Sequence, residues 1–297
     1  MGKEIVLYDC NNLAIRCVNN KDVKTVNPKT KVVTGVDWEY WEYLMFSSIY
    51  GSLYKNNTKS IVLAIDDKRS WRYDIWSRYK EDRKKNKLKD KTEFPWDEFF
   101  VRYEKLMDEF ATHFPIKVLK RKKAEGDDII GTIAKTIPDN CMVISVDKDF
   151  LQLSSKRVKI YNPMTRQHVS TPNTEMFIIE QCMIGQKKDT ITNIMTPWNW
   201  PAGKRRPGFG PKAFEKAVEH GWKEWLIEND VYHRFDFNRC LMDFERIPQY
   251  LQDGIMDDYN TYKYPNPDMM YKFLKEKGWP EFLDNFTTLE NKFMQLY

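Results

Sequence analysis

Ala124-Glu125-Gly126-Asp127-Asp128 places three carboxylates within four residues. The stretch lies between the basic run Lys120-Arg121-Lys122-Lys123 and the apolar run Ile129-Ile130-Gly131-Thr132-Ile133-Ala134. Carboxylates this close repel one another unless cations neutralise them or their pKa values rise. Ile129, Ile130, Ile133, Ala134 and Ile137 recur at helical spacing, which puts the acids in the first turn of a helix. The helix dipole favours acids there by ~0.3–1 kcal/mol each. Alone, the stretch reads equally well as the acidic start of a solvated helix.

Outward from it, other acids recur in one context. An apolar strand over 3–8 runs into Asp9. A second, over 60–65, runs into Asp66-Asp67. A third, over 141–146, runs into Asp147-Lys148-Asp149. Helical stretches over 36–54 and 95–113, and the acidic helix itself, separate these strands. That alternation predicts an α/β fold with a mostly parallel central sheet flanked by helices. In such sheets ligands bind beyond the carboxyl ends of the strands. Asp9, Asp66, Asp147 and Asp149 then collect along one edge, where the acidic helix adds Glu125, Asp127 and Asp128. In extended chain Asp147 and Asp149 point the same way, with Lys148 pointing away.

Further strands are expected over 115–119 and 158–161, the latter entering a hairpin at Asn162-Pro163-Met164-Thr165. A helix over 174–184 ends at Gly185. Beyond Gln186 the pattern turns mainly helical, over 211–220, 223–228, 248–262, 268–277 and 281–293. The expected division is therefore an α/β core over 1–185, including a charged segment at about 70–92, and a helical region over 186–297.

The 297 residues suffice for a large core in one domain or two unequal ones. The longest purely apolar run is about five residues, too short for a signal-peptide core or a membrane span. The five cysteines, 10, 17, 141, 182 and 240, form no C-x-x-C pair. They read as reduced thiols, and the expected location is cytoplasmic, without a membrane. The net charge of +5 conceals a contrast: set aside eight clustered acids and the remainder carries +13. A basic shell around an acidic pocket suits a polyanion approaching metal ions.

Clustered Asp and Glu without His or Cys partners are hard oxygen donors, suited to Mg²⁺ or Mn²⁺. The four histidines, 113, 168, 220 and 233, lie outside these motifs, which argues against zinc. Two such ions about 3.5–4 Å apart can stabilise the attacking and leaving oxygens of a phosphoryl displacement. In the charged segment Lys80, Arg83, Lys84 and Lys87 fall at i, i+3, i+4, i+7, preceded by Trp71, Tyr73, Trp76 and Tyr79. Basic groups beside aromatics suit a single nucleic-acid strand. The competing reading is a solvated helix whose aromatics pack in the core. A third signal is Arg206-Pro207-Gly208-Phe209-Gly210-Pro211-Lys212. Its glycines permit close backbone approach, and its helix start can hold a phosphate. Lys204, Arg205, Arg206 and Lys212 add attraction. An ordinary Gly-Pro turn is the plainer reading of that motif in isolation.

Together these residues resemble the 5′ nuclease superfamily: flap endonucleases, 5′→3′ exonuclease domains of bacterial DNA polymerases, and phage 5′ exonucleases. Ala124–Gly131 is similar to that family's E-A-D-D-x-I-G helix. Val143–Leu153 is similar to its S-x-D-x-D-x-x-Q-L segment. Gly208–Lys212 matches its helix–hairpin–helix G-x-G-P-K. The likeness extends furthest to its phage ribonuclease H branch, through Trp71-Arg72, Asn162-Pro163-Met164, Gly185-Gln186-Lys187-Lys188-Asp189 and Asp243-Phe244-Glu245-Arg246-Ile247-Pro248.

The resemblance implies a PIN-like core with a helical arch and a C-terminal helix–hairpin–helix region. It implies Asp9, Asp66, Glu125, Asp127, Asp128 and Asp147 around a first Mg²⁺, with Asp149 and Asp189 leaning to a second; Mn²⁺ would substitute. Lys80 and Arg83 would touch the scissile phosphate, with Arg72 nearby. Lys84 and Lys87 would line the arch. Lys204, Arg205, Arg206, Gly208, Gly210 and Lys212 would grip duplex DNA, with K⁺ in many relatives. The implied activity is a monomeric Mg²⁺-dependent 5′→3′ exonuclease and flap endonuclease with RNase H activity. Its substrates would be nicked, flapped or RNA-primed duplexes, and its setting primer removal in phage DNA replication, alongside phage replication proteins. Three departures stand out. Gln186 replaces an acid of the family's G-D-x-x-D-N loop and weakens the second metal site. Gly126 replaces the usual Ala, and residues 195–203 form an extra loop. The alternatives are a non-catalytic nucleic-acid-binding protein with a degraded site, and a small-molecule phosphatase, which has no use for the basic arch.

Overall fold

The computed structural model describes residues 4–55, 57–88, 91–198, 200, 205 and 207–296, without the side chains of 54, 55, 84 and 86–88. The chain runs β1 (Glu4–Asp9), α1 (Cys10–Val18), β2 (Lys24–Val26), β3 (Val33–Val36), α2 (Trp38–Lys55) and β4 (Thr58–Ile65). It continues through α3 (Arg72–Ile75), α4 (Glu81–Leu88), α5 (Trp96–His113), β5 (Lys117–Lys120), α6 (Gly126–Thr136) and β6 (Asn140–Ile144). Then follow β7 (Val158–Asn162), β8 (Gln167–Val169), α7 (Thr174–Ile184), α8 (Pro211–His220), α9 (Trp222–Glu228) and α10 (Tyr232–Met242). The last are α11 (Gln249–Asn260), α12 (Met269–Lys277), α13 (Pro280–Leu283) and α14 (Phe286–Met294).

The main sheet has the order β5-β4-β1-β6-β7-β8, parallel except for the final β7–β8 hairpin. From β1 the chain therefore winds outward first to one side and then to the other. That is a doubly wound sheet, whose crevice opens at the carboxyl ends of the strands flanking the switch. Alternation within the strands builds two cores. Val6, Tyr8, Ile61, Leu63 and Met142 face α1, α2 and α5. Ile5, Leu7, Val62, Cys141 and Val143 face α6 and α11. A third cluster joins α7, α8, α9 and α10.

The chain after residue 185 does not stay apart. Phe273 and Leu274 of α12, Phe282 of α13 and Phe293 of α14 pack into the same core as Phe46 and Phe110. Phe46 and Phe282 meet edge to face at 4.8 Å. The expected boundary at residue 185 thus marks a change of composition rather than a break in packing. Three other expectations shift. The helix expected over 281–293 is two, α13 and α14. Helices α1 and α10, and the β2–β3 hairpin, were not foreseen. The charged segment holds two helices, α3 and α4, separated by residues 76–80, and the stripe expected to begin at Lys80 is interrupted there, where φ is +54°. The Lys80 amide donates to the Asp189 carbonyl (3.0 Å) instead of continuing a helix. Lys80 is therefore off the expected basic stripe. Among the described residues no helix is long and apolar enough to cross a membrane.

Candidate active site

The acids converge because β4, β1 and β6 are neighbours at the centre of the sheet. Asp9 closes β1 and caps α1: its Oδ1 accepts from the Asn12 amide (3.0 Å) and its Oδ2 from Ser145 Oγ (2.8 Å). Asp66, one residue past β4, accepts from the Gly126 amide (2.6 Å) and from Asn11 Nδ2 (2.5 Å). Asn11 is held in turn by the Tyr103 hydroxyl (2.7 Å). A Cβ on Gly126 would lie 3.2 Å from the Ala64 carbonyl oxygen and from Asp66 Oδ1. The glycine thus lets α6 start tight against the end of β4.

Asp9, Asp66, Glu125, Asp127 and Asp147 line one open cleft of about 320 Å³, with Asn11, Lys80, Arg83 and Tyr103. Burial, with Asp66 and Asp147 nearby, pushes the Asp9 carboxyl up to about 6. Asp127 is raised well above the usual range by burial and by Asp9, Asp147 and Asp66. Burial and Glu125 raise Asp66, despite Lys80. Glu125 goes the other way: burial opposes ionisation, but Lys80 and Arg72 outweigh it and lower its pKa. Its Oε1 accepts from Lys80 Nζ at 2.5 Å, and its Oε2 from the Tyr79 hydroxyl at 3.0 Å. Among the described residues Asp127 has no hydrogen-bond partner for its carboxylate.

A second compartment adjoins the first, sharing Lys80, Arg83, Glu125, Asp127 and Asp147, but its free space is only about 30 Å³. It brings in Asp149, Gln186, Lys188 and Asp189. Lys188 Nζ lies 2.6 Å from Asp147 Oδ2 and 3.1 Å from Asp149 Oδ2. Gln186 Nε2 donates to Asp149 Oδ1 at 2.6 Å, and Arg83 pairs with the buried Asp189 at 2.5 Å. Burial and Asp147 raise the Asp149 carboxyl, against Lys188.

Two expected site residues stand elsewhere in role. Asp128 is fully buried, and its oxygens are taken by Arg72 (2.8 and 3.0 Å), the Trp71 indole (3.1 Å) and the Glu125 amide (2.8 Å). It has no face left for a metal ion. Arg72 is 3% exposed and also donates to the Leu241 carbonyl (2.7 Å) and to Glu125 (3.3 Å). It ties the start of α6 to the end of α10 rather than reaching a substrate. The aromatics before the basic segment likewise belong to the interior: Trp71 and Tyr79 are buried, and Tyr73 and Trp76 pack against the third core. The core reading holds for them, not the stacking one.

Arg205, Gly208 and Lys212 are exposed, and Gly210 caps α8 with Pro211 as its first residue. A Cβ at Gly208 or Gly210 would meet nothing within 4 Å. Internal packing therefore does not demand glycine at either position. Lys204 and Arg206, and the side chains of Lys84 and Lys87, lie outside the described residues. Asn11, Ser145 and Lys188 were not foreseen as site residues, and Tyr79 was foreseen as a stacking ring rather than as a donor to Glu125. Asn11 follows Asp9 by two, and Lys188 stands inside a quoted motif. Only the tertiary fold gives any of the four its partner.

The donor set suits a hard divalent cation: five carboxylates line an open cleft, three of them held above their usual pKa by burial and by one another. Among the described residues no three carboxylates yet converge tightly enough to grip an ion.

Residues 4–182 match the family model of the 5′-3′ exonuclease N-terminal resolvase-like domain, and residues 172–288 that of the T4 RNase H C-terminal region. The chain is 28% identical over 267 residues to ribonuclease H of Enterobacteria phage T4, covering 84% of this chain and 86% of that protein. It is 26% identical over 172 residues to DNA polymerase I of Rhizobium leguminosarum, covering 54% of this chain and 15% of that protein. Its fold is similar to that of the bacteriophage T5 flap endonuclease solved with DNA and metal ions (TM-score 0.63, 18% identity, covering 95% of this chain and 100% of that one). The T5 5′-exonuclease solved with bound zinc is a further neighbour (TM-score 0.61, 18% identity, covering 93% and 98%). At that identity the likeness is one of fold. With a family model matching more than half of its length at the acid-lined sheet edge, the chain belongs to the 5′-3′ exonuclease family and is a 5′ nuclease.

Proposed function

We propose that the chain hydrolyses phosphodiesters at the 5′ ends of nicked, flapped or RNA-primed duplexes, releasing short 5′-phosphorylated products with Mg²⁺ as the physiological ion. The observation that carries this is the open cleft of Asp9, Asp66, Asp127 and Asp147 with Lys80 and Arg83 at its side. Those acids would hold the ion, which would stabilise charge on the phosphoryl oxygens and make a water more acidic. Lys80 and half-exposed Arg83 would exchange their carboxylate partners for the scissile phosphate, a charge-assisted contact of the same kind. Asn11 and Ser145 hold Asp66 and Asp9 in place. The exposed start of α8, with Lys212 and Arg205, would take the duplex backbone, with K⁺ at the Gly208–Pro211 turn.

RNase H activity, removal of RNA primers during phage DNA replication, contact with replication proteins, a monomeric state and a cytoplasmic location belong to the same reading. It is supported by the T4 relative. The experiment is a duplex carrying a 5′ RNA primer labelled at its 5′ end, incubated with Mg²⁺ and with EDTA. Mg²⁺-dependent release of short labelled fragments is expected. Binding without release at any Mg²⁺ concentration would favour the non-catalytic alternative.

A further inference from the structure

The two compartments of the acid cluster differ in charge and in space. On the open side, Asp9, Asp66, Glu125 and Asp127 face Lys80, which pairs with Glu125; Arg72 reaches Glu125 as well as Asp128, and Arg83 lines the cleft while pairing with Asp189. On the other side, Asp149 and Asp189, with Asp147 shared, already have Lys188 and Arg83. The first carries a large uncompensated negative charge and about 320 Å³ of room. The second is close to neutral and has about 30 Å³, roughly the share of one water molecule.

We propose that Lys188 is the resident cation of the second compartment. Its ammonium bridges Asp147 and Asp149 where a second divalent ion would otherwise sit, so the chain holds one divalent ion. Three features support this. The ammonium contacts one oxygen from each carboxylate. Gln186 supplies an amide N–H to the other oxygen of Asp149, where a carboxylate would repel it and could itself ligate an ion. The loop that carries the 40%-exposed Lys188 folds tightly against the chain that follows it: Gly185 has φ +76°, and a Cβ there would lie 2.5 Å from the Thr192 backbone. Lys188 is thus a positioning residue, holding Asp147 for the ion on the open side. This inference rests on the reading of that open side as a divalent-ion site.

The test is Mn²⁺ binding to the metal-free full chain, counted by isothermal titration and by the paramagnetic resonance of free Mn²⁺. The variants are Lys188→Met and Gln186→Glu, the second a near-isosteric change that keeps Lys188. Folding of each is checked by circular dichroism. The wild type is expected to bind one Mn²⁺ per chain. Lys188→Met is expected to bind a second, at least about tenfold tighter than any second ion on the wild type, and Gln186→Glu, which keeps the ammonium, to bind one. Two ions of similar affinity on the wild type would overturn the role of Lys188 and leave the nuclease reading standing. So would a Lys188→Met variant that still binds only one. No Mn²⁺ binding by any form would remove the open-side metal reading, and this inference with it.

Discussion

Arg72 and Asp128 show how far a motif can mislead about a single side chain. Both stand in the most acidic and most basic stretches of the chain, yet they spend their charges on each other in the interior. A buried pair of this kind is costly to break, because the surviving charge has neither water nor partner. Arg72→Met is expected to lower stability by ~3–5 kcal/mol, read as a shift in the urea midpoint. The double change Arg72→Met with Asp128→Leu is expected to recover most of it. A single variant as stable as the wild type would show that the pair is not the pin described. The adjacent Glu125, Asp127 and Asp128 could not be told apart in sequence. Helical spacing sets consecutive residues about 100° apart, but only the position of β4 decides which one faces the cleft. Lys188 was equally mute, because a lysine among lysines signals nothing until Asp147 and Asp149 are seen beside it.

Strand ends explain the electrostatics better than any one residue. Parallel β4, β1 and β6 each deliver an acid to the same edge, and α6 delivers more from above. Asp9, held at about 6, Asp66, Asp127 and Asp149 all keep their protons more readily in the folded chain than in the unfolded one. Groups raised in this way lose folding free energy as pH climbs through the gap between the two values. Glu125, whose pKa is lowered, works in the opposite sense but is one against four. In EDTA the melting temperature is therefore expected to fall as pH rises from about 4 to about 6. Mg²⁺ or Mn²⁺ at neutral pH is expected to restore it. A melting temperature flat across that window, and unmoved by either ion, would contradict the clustered acids. The strands were legible because they are short apolar runs ending in Asp; the helix over Thr174–Ile184 was legible from its end at Gly185. The start of α1 was not, since Asp9 both ends a strand and caps the next helix without an intervening turn. The break at Lys80 was hidden because it depends on a carbonyl of Asp189, more than a hundred residues away.

Across the whole chain the net charge is +5, although several acids are concentrated in one cleft at the sheet edge. Basic surface draws in a polyanion from any direction; only the acid-lined edge of the sheet can process it. The mostly parallel sheet flanked by helices was foreseeable from alternating strands and helices; its doubly wound strand order was not. The return of α12, α13 and α14 to the face of α2 was not, because aromatic residues such as Phe46 and Phe282 carry no address for their partners. Separating attraction from chemistry calls for Asp127→Asn, which removes one charge from the cleft and disturbs no described hydrogen bond. The measurement is cleavage of a 5′-flapped duplex in Mg²⁺, with binding of the same duplex followed by gel shift. Turnover is expected to fall by at least about a hundredfold, as for loss of one strong electrostatic contact to the reacting group, with binding kept or tightened. Full turnover by Asp127→Asn would mean that the reaction does not occur at the carboxyl ends of β1, β4 and β6.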